Sequence, residues 1–67
     1  MAVARVTEIS STSPKSFDDA IQQGIARATK TLRNVRSAWV KEQRVDIRND
    51  NIAEYQVNMM VTFVLDD

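Results

Sequence analysis

Residues 52–65 constrain this chain more than any other stretch. Tyr55, Val57, Met59, Val61, Phe63 and Leu65 take every second position, and Glu54, Gln56, Asn58, Met60, Thr62 and Val64 take the positions between. A period of two sends the two sets to opposite faces of a β-strand. The first face is wholly apolar and has to be buried; the second is mixed. The covering element is legible upstream. Phe17, Ala20, Ile21, Gly24, Ile25, Ala28, Leu32 and Val35 recur at spacings of three and four, one apolar stripe along a helix. Asp18 and Asp19 stand in its first turn, and Lys30 and Arg33 near its end, as the helix dipole favours. Its start is open between Ser13, with Pro14 at the first helical position, and Ser16, with Asp19 three residues on. Gly24 costs about 1 kcal/mol against alanine in mid-helix. Its place on the stripe predicts close packing on a sheet.

Two further strands complete the order. Ala2–Ser10 alternates, with Val3, Thr7 and Ile9 on one side and Ala4, Val6 and Glu8 on the other. Ser10-Ser11-Thr12-Ser13-Pro14 reads as a loop by composition. Ser37–Arg48 reads as a strand with Ala38 and Val40 on one face and Ser37, Trp39, Lys41 and Gln43 on the other, and Asn49-Asp50-Asn51 is the turn that follows. The expected fold class is α+β: β-α-β-β in one domain, residues 1–67. A returning helix makes the first two strands point the same way, so a wholly antiparallel sheet needs the third between them, order 1-3-2. One helix covers only one sheet face, and its stripe should meet Tyr55–Leu65.

Composition narrows the function. With 67 residues and neither cysteine nor histidine, the chain has no disulfide staples, no thiolate or imidazole metal ligands, and no Ser-His or Cys-His catalysis. Gly24 is the only glycine, so there is no phosphate-cradling loop, and no acid is isolated in an apolar run. An enzyme is not expected. No apolar run approaches membrane-spanning length and the N-terminus lacks a signal-peptide core, so a cytoplasmic protein is expected. Net charge is zero but unevenly spread. Seven basic side chains between Arg27 and Arg48 face only Glu42 and Asp46, whereas residues 49–67 carry acids alone. The zero balance and missing aromatic cluster argue against nucleic acid. A domain this small buries only about 60% of its unfolded surface and is marginal alone, and such an asymmetry suits association with further copies.

The uncovered face carries the candidate site. Trp39, Met60 and Val64 are too apolar for open solvent; Gln56 and Asn58 are too polar for a dry core. Such a mixture suits a wet interface, or a ligand held between subunits. Trp39 offers a plane for stacking on a flat heterocycle or an anchor for packing. Gln56 offers a donor and an acceptor to a ring edge. Asp46, Asn49, Asp50 and Asn51 gather oxygens suited to a hard cation such as calcium, without EF-hand spacing, or simply form a turn.

The order and spacing of Thr12-Ser13, Ala20-Ile21, Ala26-Arg27-Ala28, Thr31-Leu32-Arg33, Val40 with Glu42, Tyr55-Gln56-Val57 and Val61-Thr62-Phe63 resemble the dodecin family over nearly the whole chain. The resemblance implies a hollow homododecamer with helices outside, binding and storing flavin (riboflavin or FMN) as ring pairs between tryptophans of symmetry-related subunits. It implies that Gln56 contacts the ring edge and that Arg44 lies on the phosphate side; a second basic position of the family is Val64 here. The family's stacking tryptophan falls at Ser37, and Trp39 stands two residues on, where the family has glutamate. Either Trp39 takes over the stacking, about 6–7 Å along the same face, or the flavin site is lost. The family's branch without that tryptophan implies a calcium-binding assembly, for which Asp50 is the candidate ligand.

Overall fold

The computed structural model describes residues 2–66, with strand β1 (Ala4–Ser13), helix α1 (Phe17–Thr31), strand β2 (Val35–Arg48) and strand β3 (Asn51–Val64) in that order. The three strands form one antiparallel sheet in the order β1-β3-β2, as the apolar richness of β3 requires.

The helix starts at the second of the two candidate caps. Ser16 is extended, and its Oγ accepts from the Asp19 N–H at 3.0 Å. The Asp19 carboxylate in turn accepts from Ser13 Oγ and, at 2.8 Å, from Gln23 Nε2. Ser13 is buried, and its Oγ also accepts from the Lys15 N–H at 3.0 Å. The far end is earlier than the stripe predicts. Leu32 caps the helix, its N–H bonding the Ala28 carbonyl at 2.8 Å. Asn34 then takes a left-handed φ of 59° and turns the chain, so Val35 opens β2 opposite Phe63 instead of extending the helical stripe.

The first strand runs further than its composition suggests. Ser11–Ser13, a loop by composition, instead continue the strand and pair with Val57, Gln56 and Tyr55 of β3. A central strand of 14 residues carries backbone donors and acceptors along both sides, and these need partners. The small side chains also suit the place. A Cβ added to Gly24 would lie 3.0 Å from Ser11 Cβ and 2.6 Å from Met59 Cε, so helix and sheet touch backbone to side chain there.

The core lies between α1 and one sheet face. Ala20, Val57 and Met59 are fully buried, with Ile9, Phe17, Ile21 and Ile25 packed around them, and Ala28 and Val61 continue the layer. Phe17 meets Tyr55 edge to face at 5.1 Å between ring centres. Tyr55 to Phe63 thus face the helix as expected, while Leu65 lies beyond β3 and is exposed.

Candidate functional site

The sheet face opposite α1 is assembled by register. Pairs directly opposite one another share a face. Ser37 stands beside Thr62; Trp39, Met60 and Glu8 form the next row; then Glu42, Asn58 and Ser10; then Arg44, Gln56 and Thr12. The strict alternation expected for β2 fails at Lys41. Val40 pairs with Met59 and Glu42 with Asn58, so Lys41 is an extra residue in a β-bulge. Beyond it the phase is reversed. Gln43, expected beside Trp39, pairs with buried Val57 on the helix side, while Glu42 and Arg44 move to the open face.

Four side chains on this face form one hydrogen-bonded chain. Gln56 Nε2 donates to Ser10 Oγ at 2.9 Å and to Asn58 Oδ1 at 3.2 Å, and Asn58 Nδ2 donates to Glu42 Oε1 at 2.7 Å. One row further, Lys41 Nζ reaches across β3 to Glu8 Oε1 at 3.3 Å. Trp39, 52 % exposed, stands beside that ion pair on the free edge of the sheet. It also lines a groove of about 420 Å³ between α1 and β2, with Ile21, Ile25 and Val40. The Trp39 row and the Gln56 row are four residue steps apart on β3, about 13 Å along the strand. Trp39 and Gln56 therefore share a face on neighbouring strands, with Asn58 between them. Ser37 lies one row further from Gln56 than Trp39 does.

Arg44 is exposed directly opposite Gln56, and among the described residues no carboxylate lies within ion-pairing distance of it. A flat heterocycle with polar edges suits this set: an indole plane, an amide whose carbonyl is open, and a guanidinium beyond it. Val64, the second basic position by resemblance, pairs with Ala4 at the end of β3.

The cation candidates sit elsewhere. Asn49 and Asp50 have φ of 52° and 64°, the two left-handed residues of a tight hairpin turn, and Asn51 Nδ2 donates to the Asn49 carbonyl at 3.1 Å. Asp46 is in β2 opposite Glu54. Among the described residues no three His, Cys, Asp or Glu side chains gather as a metal site.

Two participants leave no mark in the sequence pattern. Glu42 was hidden because a bulge leaves no mark in the hydrophobic pattern. Ser10 was hidden because a serine run reads as loop. Gln56 and Asn58, amides at alternate positions beside Met60 on the mixed face of β3, were the signal that a polar chain crosses this face.

The dodecin family matches residues 3–66 of this sequence. The chain belongs to the dodecin family. The dodecin of Thermus thermophilus is 40% identical over 65 residues, covering 97% of this chain and 94% of that protein. Among solved dodecins, that of Streptomyces davaonensis superposes with a TM-score of 0.93 at 44% identity, covering 98% of this chain and 97% of the other. The calcium dodecin of Mycobacterium tuberculosis, a calcium-chelating antigen with a novel calcium-binding site, gives a TM-score of 0.85 at 28% identity over 97% and 93% of the two chains. The β-α-β-β order and the 1-3-2 sheet are therefore those of dodecins.

The uneven charge of this dodecin is partly internal. Arg33 pairs with Asp66 at 3.2 Å and Arg48 with Glu54 at 4.0 Å, each joining the basic middle to the acidic end. No helix among the described residues is long and apolar enough to cross a membrane.

Proposed function

We propose that this dodecin binds and stores flavin, riboflavin or FMN, between the subunits of a closed homododecamer, and that it is a cytoplasmic binding protein and not an enzyme. The observation that carries the reading is the half-exposed indole of Trp39 on the same uncovered sheet face as Gln56 and Arg44. Trp39 takes over the stacking that the family assigns to the position of Ser37. Gln56 meets the ring edge, and Arg44 faces the phosphate side. Ser37, one row outward, leaves room where the family has an indole. Closure into a dodecamer covers the second sheet face and the free edges of β1 and β2, which a lone subunit leaves open. Partners are thus further copies of the chain and a small molecule; the pairing of Arg33, Lys41 and Arg48 with carboxylates argues against nucleic acid.

The test is a fluorescence titration with riboflavin and FMN on protein whose mass has been measured by sedimentation. The expected mass is near twelve times 7.6 kDa. Both flavins should be quenched and bind about equally, since Val64 gives the phosphate no second cation. A stable folded monomer, or no quenching at tens of micromolar flavin, overturns the reading. The likeness to a calcium dodecin supports a second reading, a calcium-binding assembly without flavin in which Asp50 is a ligand. Calorimetric heat with calcium, lost in Asp50→Ala, together with no flavin quenching, would favour it.

A further inference from the structure

The polar chain across the open face has a direction. Glu42 ends it, and an ionised carboxylate only accepts hydrogen bonds. The group Asn58 turns toward Glu42 Oε1, at 2.7 Å, must therefore be its NH₂. That leaves Asn58 Oδ1 facing Gln56, so the Gln56 group 3.2 Å away must also be its NH₂. The second N–H of Gln56 Nε2 goes to Ser10 Oγ at 2.9 Å. Both donors of Gln56 are thus used inside the protein, and among the described residues no donor reaches its Oε1. An amide that is symmetric in shape, and able to turn either end outward, is held with its carbonyl presented.

We infer that Glu42, acting through Asn58, sets the ligand preference of Gln56: the site selects heterocycles that present an N–H to it and rejects those that present only acceptors there. Glu42 and Asn58 are positioning residues, since neither needs to touch the ligand. The inference deepens the flavin reading and rests on it, because the imide N–H of a flavin is the kind of donor the carbonyl would accept. It also gives the bulge at Lys41 a consequence. Without that extra residue Glu42 would lie on the helix side, and nothing would orient Asn58.

The test compares lumiflavin with 3-methyllumiflavin, in which the imide N–H is replaced by a methyl group, by quenching titration against the full chain. The native protein should bind the methylated ring at least tenfold more weakly. A small pyrimidine-edge methyl also adds bulk, so the deciding readout is the ratio in Glu42→Gln. A glutamine there donates as well as accepts, which lets Asn58 and then Gln56 turn over. The preference for the N–H ring should fall at least threefold, mainly by weaker binding of lumiflavin. A merely structural loss would weaken both rings alike and leave the ratio unchanged. An unchanged ratio, or equal affinity of the two rings for the native protein, overturns the inference while leaving flavin binding intact. Quenching by neither ring overturns the flavin reading, and the selection with it. Should Glu42→Gln fail to fold, side-chain NMR of the ligand-free native protein decides the geometry. The Gln56 amide protons should exchange more slowly than those of exposed Gln22, and equal exchange overturns the orientation.

Discussion

Met59 and Met60 are consecutive, and they belong to different worlds. Met59 is fully buried, its Cε reaching into the space beside Gly24; Met60 faces away from the helix between Trp39 and Glu8. The two sheet faces differ in the same way along β3. Its helix-side residues from Val57 to Val61 are apolar and packed under the chain's own helix. The other face holds a four-member hydrogen-bonded chain, an ion pair and a half-exposed indole, and among the described residues no helix covers it. The first face stabilises the fold. The second is the face that the proposed assembly and ligand would use. A strand that alternates apolar and polar residues serves both purposes at once.

The sharpest way to break this comparison is to truncate both methionines. Met59→Ala should cost about 2–5 kcal/mol in urea unfolding, because it leaves a cavity under the helix. Met60→Ala should cost much less to the subunit. Its effect should instead vary with protein concentration, as expected for a residue that acts through association. Equal, concentration-independent losses would mean the two faces do not divide the work. Next in size is Gly24→Val. Its branched side chain would meet Ser11 as well as the flexible tip of Met59, and should cost about 1–3 kcal/mol by overpacking. A thermal midpoint unchanged by Gly24→Val would mean that helix and sheet are further apart than described. On the open face, Trp39→Ala should weaken flavin at least tenfold, about 1.4 kcal/mol. The far-ultraviolet circular dichroism should stay the same. Retained affinity would remove Trp39 from the site. The smallest effect tests a part common to neither face: Ser16→Ala should cost about 1 kcal/mol by removing the helix cap, with no change in flavin affinity.

How much of this was legible varies by residue. The apolar alternation from Tyr55 to Phe63 and the helical stripe from Phe17 to Ala28 are periodic, and periodicity is a local property of the chain. Together with the antiparallel requirement they determined the fold class, the 1-3-2 order and the face that the helix covers. Gly24 on the stripe announced a close approach. Gln56 and Trp39 were placed on one face of neighbouring strands from alternation alone, and the register agrees.

What the sequence could not decide is where the alternation slips and where pairing overrides composition. Gln43 and Glu42 changed faces because Lys41 is squeezed out of the ladder, and Ser10–Ser13 joined the sheet because β3 offers them partners. Leu32 and Val35 left the helical stripe because Asn34 turns the chain toward the sheet. The bulge is set by pairing across the β2–β3 hairpin and the place of Ser10–Ser13 by a strand tens of residues away, so neither shows in hydrophobic periodicity. The hydrogen-bonded path from Glu42 through Asn58 to Gln56 has the same origin. Side-chain types can be read from the sequence, but only the tertiary register brings an acceptor-only carboxylate up to the asparagine that turns the glutamine outward.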